Sequence, residues 1–412
     1  SSHFRRSMGR ALPDVTLRRL AFGSCSKQWL PQPLWAQVSA MQPQAWIWTG
    51  DAAYAAADDP KGQVEALLDA KKAANYTAFV KSQLLIDGTW DDHDLGVNDG
   101  GMDVYTPSRQ AAFLDFLDVP PHDERRSRPG VYTSLLFGEA PRQAKIILLD
   151  TRTFRRRPAW IYFPRNAVPW PLVNIAGRLL ASLGAVLLPG DDSDVLGEEQ
   201  WQWLVRELRH SRSSAHVLVS SVPVFTPNPI FESWGQWPRA KGRLVRTLRD
   251  LAPPGLAIIS GDSHFAEVRG PEVTASGLTH TIAGRGAHSW RHSACSLVLR
   301  LFSSLGGTTG SPYLGLNFGV LDIDWEQRTL HISVRNSDGE SVLRRSQRLD
   351  SSADMSALPP EPSMLVLSLA APLVLAMLVK LCRCWRVLRL GSKESMTASA
   401  PRDENLGPCK VV

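Results

Sequence analysis

An α/β fold is what this sequence predicts, on three observations. Apolar runs of four to six residues, among them Ala45-Trp-Ile-Trp48, Lys145-Ile-Ile-Leu-Leu149 and Leu256-Ala-Ile-Ile-Ser260, stop abruptly at polar residues or glycine, as buried parallel strands do. Stretches with apolar residues at helical spacing, 32–41, 62–85, 108–117 and 197–208, alternate with such runs. Chemistry-bearing side chains follow the strands, and open α/β sheets collect ligands at the carboxyl ends of their strands.

The 412 residues are 43% hydrophobic and 21% charged, an ordinary globular balance that one large domain can accommodate. Much of the +6 formal charge lies in two clusters, Arg152 with Arg155 to Arg157 and Lys380 to Lys393. Neither interleaves aromatics with its basic residues, so nucleic acid is not the expected partner. Five cysteines are too few for a disulfide framework.

In chain order, residues 1–17 are basic and aperiodic and read as a flexible lead-in. A strand over 18–22 ends in Gly23-Ser-Cys-Ser26, where Cys25 is either a small buried hydrophobe or a thiolate for a metal. A helix over 32–41 precedes the strand 45–48, which runs into Thr49-Gly-Asp-Ala-Ala-Tyr54. The turn frees the Asp51 side chain and brings the Tyr54 phenol near the same point; helix capping is the alternative for Asp51, but the helix over 62–85 starts too late to need it. Asn75-Tyr-Thr77 is a glycosylation sequon.

Behind Leu84-Leu-Ile86, the run Gly88-Thr-Trp-Asp-Asp-His-Asp-Leu-Gly-Val-Asn-Asp99 packs Asp91, Asp92, His93, Asp94, Asn98 and Asp99 together. Carboxylates so crowded repel, and a hard cation converts that repulsion into coordination; a solvated acidic turn around Gly96 is the bland alternative. The helix over 108–117 places Arg109 on its polar face. Strands over 131–137 and 145–149 follow, the second ending in Asp150-Thr-Arg152, where Arg152 either clamps a phosphate bidentately or pairs with a carboxylate.

Residues 158–195 form an apolar insertion, with a helix at 175–188 lying on a membrane surface or covering the site. An amphipathic helix over 197–208 and strands over 216–221 and 256–260 come next, the last ending in Gly261-Asp-Ser-His264, whose Asp262 and His264 can turn toward one ion. His280, His288 and His292 read as solvated, and 318–324 with 329–334 as a hairpin.

A linker (346–363) leads to an apolar helix over 364–381, near the lower limit for spanning a bilayer. Acidic residues precede it and basic ones follow, so the positive-inside rule puts the tail 382–412 in the cytoplasm and the preceding domain in an extracellular or luminal space. Cys382, Cys384 and the terminal Cys409-Lys-Val-Val412 fall at positions suited to lipidation. The chain starts at Ser1 without an apolar signal core, so a targeting segment is expected to have been removed or not included.

Phe22-Gly-Ser-Cys25, Trp48-Thr-Gly-Asp-Ala-Ala-Tyr54, Gly88-Thr-Trp-Asp-Asp-His-Asp94, Leu148-Leu-Asp-Thr-Arg152, Leu196-Gly-Glu-Glu-Gln-Trp201 and Ser260-Gly-Asp-Ser-His-Phe265 resemble the ordered motif series of the PhoD-like alkaline phosphatases, a branch of the metallophosphoesterases. The resemblance spans roughly 18–345. It implies a four-layer α-β-β-α sandwich and a di- or trinuclear centre of Fe³⁺ and Ca²⁺, with Mn²⁺, Mg²⁺ or Zn²⁺ as alternatives. It makes Asp51 a bridging ligand with Cys25 and Tyr54 on the iron, adds Asp92, Asp262 and His264 as ligands, and makes His93 the catalytic histidine. Asp91 and Asn98 are further candidates in the acidic run. Ala52 and Ala55 to Ala57 depart from the family pattern at positions that are not ligands, which points to altered substrate shape.

The expected activity is hydrolysis of phosphate monoesters or diesters by water made acidic on a metal, with Arg152 offsetting charge and His93 protonating the leaving alkoxide. Two alternatives are a phosphodiesterase or phospholipase D-like activity on lipid head groups, and a catalytically silent binding protein of the same fold.

Overall fold

The computed structural model describes residues 10–55, 60–82, 85–156, 178, 193–226, 228, 231–284, 296–297, 299–300 and 311–351. In chain order these form β1 (Arg10–Leu12), β2 (Arg19–Gly23), α1 (Leu34–Ala40), β3 (Ala45–Thr49), α2 (Pro60–Lys72), α3 (Ala74–Lys81), β4 (Leu85–Thr89), α4 (Asp92–Leu95), α5 (Pro107–Phe116), β5 (Thr133–Phe137), β6 (Ala144–Leu148), α6 (Gly197–Arg209), β7 (Ala215–Ser220), α7 (Pro238–Leu251), β8 (Leu256–Ser260), β9 (Ala266–Arg269), β10 (Glu272–Ala275), β11 (Phe318–Asp324), β12 (Thr329–Arg335) and β13 (Ser341–Arg348).

The strands make two mixed sheets, ordered β1-β5-β6-β7-β8-β10-β9 and β13-β12-β11-β2-β3-β4. Each contains a parallel block, β6-β7-β8-β10 in the first and β2-β3-β4 in the second. The carboxyl ends of the blocks meet: Thr89 Oγ1 donates to Leu149 O at 2.6 Å, tying the end of β4 to the end of β6.

Strand alternation sorts the side chains into three apolar layers. Phe22 and Ile47 meet Ile146, Val217 and Ile259 between the sheets. Trp46 and Trp48 face outward, where Trp35 of α1 lies with its ring centroid 4.9 Å from Trp46 and 4.9 Å from Phe79 of α3. On the other outer face Leu218 and Ile258 pack with Leu204 of α6 and Leu244 of α7. Helices therefore cover both outer faces of a two-sheet sandwich, and each fully buried Leu, Ile or Phe contributes about 1.5–3 kcal/mol.

Several sequence expectations need correction. The helix expected over 62–85 is two, broken at Ala73, whose ψ of 122° is not helical. The break lets Tyr76 and Phe79 turn under Trp35, a tertiary contact that periodicity does not register. Part of the lead-in is ordered, since Arg10–Leu12 pairs with β5 and Leu12 packs against the core between the sheets. Arg109 is buried instead of facing solvent, its guanidinium donating to Leu95 O. No helix among the described residues is long and apolar enough to cross a membrane. The expected span 364–381, its flanking linker and tail, and most of the insertion 158–195 lie outside the described residues.

Candidate metal centre

The loops after β2, β3, β4 and β8 converge on one point, and four of their side chains sit on left-handed backbone. Cys25, Asp51, Asp262 and His264 have φ of 63°, 52°, 62° and 57°. Such conformations cost a non-glycine residue of order 1–3 kcal/mol and cluster at functional sites. They turn the chain sharply as it leaves the strand, so the side chain enters the space between loops. Two glycines let those loops touch. A Cβ on Gly50 would lie 2.5 Å from Asp91 Cβ, and one on Gly261 would strike Thr49 O and Ser24 Oγ.

On one side of the centre stand sulfur, phenol and imidazole. Cys25 Sγ is 3.6 Å from Asp51 Oδ2, the Tyr54 hydroxyl donates to the same oxygen at 2.8 Å, and that hydroxyl is 3.4 Å from His264 Nε2. Ligand atoms of Cys25, Asp51 and His264 all lie within 4.8 Å of one another. Ser276 Oγ braces this side, 3.0 Å from Cys25 Sγ while accepting the His264 N–H at 2.8 Å. Burial, then His93 and Lys27, depress the His264 pKa to about 3, leaving the neutral imidazole that ligates metals.

The other side is carboxylate. Asp51, Asp91, Asp92 and Asp262 offer oxygens within 4.8 Å of one another, and Asp51 with Asp92 and His93 forms an overlapping group. Asp51 belongs to both sides, which is the position of a bridge. The His93 N–H donates to Asp51 Oδ1 at 3.3 Å, and its ring lies 4.1 Å from that of Tyr54. Asp94 turns away, accepting the N–H of Asp91 at 3.0 Å and of Ala53 at 3.1 Å.

Two observations show that this donor set fits cations. Asp91 Oδ2 and Asp92 Oδ1 are buried without a hydrogen-bond partner, the state of a carboxylate oxygen reserved for a ligand. Burial, then Asp92, Asp91, Asp94 and Asp262, push Asp51 well above the usual carboxylate range, and burial followed by Asp91 does the same to Asp262. Burial and then Asp51 raise both the Cys25 thiol and the Tyr54 phenol. Positive charge among these groups removes the repulsion that holds their protons on. Thiol, phenol and imidazole suit a softer transition metal, and the carboxylates a hard divalent ion.

The profile of the PhoD-like phosphatase family matches residues 20–272, most of the chain and every strand that lends a ligand to this centre. The chain belongs to the PhoD-like phosphatase family. A solved structure described as "Structure of PhoD" superposes with a TM-score of 0.55 at 15% identity, covering 84% of this chain and 71% of that one, which shows the shared fold. No curated protein matches the chain.

Within this PhoD-like phosphatase, Cys25, Asp51, Tyr54, Asp91, Asp92, His93, Asp262 and His264 come together. Asn98 is half-buried in the loop after α4, its Nδ2 without a hydrogen-bond partner. Asn75 stands apart, exposed on α3 with its amide donating to Gln32 O at 3.3 Å. Arg152, expected either to clamp a phosphate or to pair with a carboxylate, does the latter. It is fully buried, Nε donating to Asp91 Oδ1 at 2.6 Å and the two terminal nitrogens to Glu232 at 3.1 and 3.0 Å. Its donors are spent on carboxylates, so it is a counter-ion behind the centre.

His280 is not a solvated loop residue either: its ring lies 4.6 Å from that of His264 and 5.3 Å from that of Tyr54. His288 and His292 lie outside the described residues. Sequence reasoning missed Glu232, Ser221, Ser276, Arg178 and Lys27. Glu232 and Arg178 follow directly on no strand among the described residues, and nothing local marks them. Arg178 donates to Asp99 Oδ1 at 2.8 Å and, against burial, holds that carboxyl down to about 2. Ser221 and Ser276 do follow β7 and β10, so the strand-end rule would have found them. Lys27 was legible too, two residues beyond Cys25.

Proposed function

We propose that this chain hydrolyses phosphate monoesters or diesters with water at a centre of one softer and one hard metal ion. The observation that carries the reading is the sharing of Asp51 between a sulfur-phenol-imidazole group and a carboxylate group. Cys25, Tyr54 and His264 would hold the softer ion, Asp91, Asp92 and Asp262 the hard one, and Asp51 both. The ions would supply Lewis acidity, making a water acidic and offsetting charge on the phosphoryl oxygens.

The remaining chemistry belongs to side chains of the chain. His93, half-exposed at the rim, is placed to give a proton to the departing alkoxide, so that the P–O bond to the alcohol breaks as the P–O bond to water forms. Products are the alcohol and a phosphate carrying the water oxygen. Arg152 and Glu232 hold Asp91 in register from behind, which preserves the centre between turnovers.

Turnover of p-nitrophenyl phosphate and bis-p-nitrophenyl phosphate, measured before chelation, after it and after reconstitution, tests this. Chelator-sensitive, metal-restored hydrolysis is expected; activity indifferent to chelation, or none after metal analysis shows a loaded centre, rejects it. The 364–381 segment and its asymmetric flanking charge support a single-pass tether with the phosphatase domain extracellular or luminal and the tail cytoplasmic. Protease treatment of sealed vesicles checks this: full protection of the domain with loss of the tail supports that topology, and release of the domain into the soluble fraction of unproteolysed lysate rejects it.

A further inference from the structure

We propose that the loop between β2 and α1 is a substrate lip, with Lys27 meeting the phosphoryl group and the Trp29 indole forming a platform for a planar ring on the ester's alcohol. The inference rests on the hydrolase reading above and deepens it by naming the class of substrate.

Trp29 is 58% exposed, whereas every other tryptophan among the described residues is buried. A single exposed apolar side chain is ordinarily unremarkable. This one stands beside the centre, its ring centroid 6.3 Å from that of Tyr54 at an interplanar angle of 83°. Tyr54 reaches the centre with its hydroxyl, so the indole packs edge-to-face on a residue of the centre itself.

Lys27 is only 5% exposed, with Nζ 5.2 Å from the Tyr54 ring centroid. Among the described residues no carboxylate forms an ion pair with it. A nearly buried ammonium at the edge of a metal centre complements a phosphate dianion, and a point charge on a flexible stem suits oxygens that change geometry during reaction.

The loop is rigid. The Ser26 N–H donates to Asp51 O at 2.9 Å and the Lys27 N–H to Thr279 Oγ1 at 2.8 Å. Gln28 and Tyr54 exchange bonds, Gln28 Nε2 to Tyr54 O at 2.9 Å and Tyr54 N–H to Gln28 Oε1 at 3.0 Å. Gln32 closes the far side, donating to Lys27 O at 3.0 Å and accepting from Trp35 Nε1 at 3.0 Å. An indole held out of the core on so braced a loop is pre-organised for stacking, with little ordering cost on binding.

The test compares adenosine 5′-monophosphate with ribose 5-phosphate on the metal-loaded full chain. The two esters share the scissile bond and the alkoxide, and differ in the base. Stacking predicts a KM about tenfold lower for the nucleotide, and Trp29→Ala brings that ratio to about one; general damage to the fold would depress both esters and spare the ratio. Lys27→Met raises KM for both by about tenfold without moving the ratio, and Lys27→Arg recovers part of the loss. Equal KM values in the native protein, or a ratio unchanged in Trp29→Ala, overturn the platform while the hydrolase reading stands; an unchanged KM in Lys27→Met overturns the phosphoryl contact. Hydrolysis of neither ester by protein that turns over p-nitrophenyl or bis-p-nitrophenyl phosphate overturns the lip and leaves the hydrolase reading standing, whereas failure on all four rejects both. Loss of phosphatidate turnover in vesicles by Trp29→Ala, with the ratio near one throughout, makes the indole a membrane contact and overturns the inference.

Discussion

The sulfur-phenol-imidazole side of the centre and its carboxylate side use the same backbone device, a left-handed residue just after a strand, yet are braced in opposite ways. Cys25 and His264 lean on Ser276, a neutral hydroxyl. Asp91 leans on Arg152 and on the Ser221 hydroxyl, which donates to its Oδ1 at 2.5 Å, and Arg152 in turn is held by Glu232. The difference follows from what each side must survive before any cation binds. A thiol, a phenol and a neutral imidazole fold without charge. Asp92 is different: against burial, His93 and then Arg152 hold it below the usual carboxylate range, so a buried countercharge must come with it. One side therefore needs only orientation, and the other needs orientation and neutralisation.

The largest expected effect removes the residue both sides share. Asp51→Asn should lower kcat/KM by at least about 10³-fold, about 4 kcal/mol, and elemental analysis should find both metals depleted; retention of either at full stoichiometry breaks the picture of a common bridge. Next comes the brace. Arg152→Met leaves Asp91 buried without its countercharge, while Glu232 keeps Arg155, and should cost about 3–5 kcal/mol in urea unfolding. Ser276→Ala, on the neutrally braced side, should cost about 1 kcal/mol, and equal losses in the two variants would erase the contrast drawn above.

Cys25→Ser should separate the two sides chemically. Loss of the softer metal and of its visible absorption, retention of the hard ion, and a fall in kcat/KM of about 10²-fold, about 2.7 kcal/mol, are expected on loading and assay. An effect independent of the centre lies at the opposite end of β7 from it. His216 is buried, bonded at 2.8 Å to Pro254 O and at 2.8 Å to Ser211 Oγ, and burial lowers its pKa from 6.5 to about 4. Its neutral form is the folded one, so its contribution is complete above pH 6.5 and fades as pH falls toward 4. Between pH 7 and 5 the fold should lose about 2 kcal/mol through this group, and His216→Gln should flatten that slope in denaturant titrations while leaving metal content alone.

Local sequence carried the strand ends, because a buried strand must be apolar and its exit must turn, and both requirements are written in consecutive residues. Ala45–Thr49 into Gly50 and Asp51, or Leu256–Ser260 into Gly261 and Asp262, are legible for that reason. The same locality explains what was left open or misread. Arg152 follows β6 just as Asp51 follows β3, and nothing nearby tells that Glu232 has claimed its guanidinium. His280 sits in a stretch that looks like a polar loop, and only the return of residues 276–280 past Cys25 brings its ring to His264.

The sequence by itself determined which side chains leave the strands at one rim and what kind of atoms they offer. Tertiary structure decided how those atoms fall into two overlapping donor groups, which basic side chain neutralises which carboxylate, and that Lys27 and Trp29 flank Tyr54. The physical reason is range. Turn and burial preferences act over a few residues of chain, whereas charge compensation and coordination act over a few ångströms of space, and only packing one sheet against the other converts the first into the second.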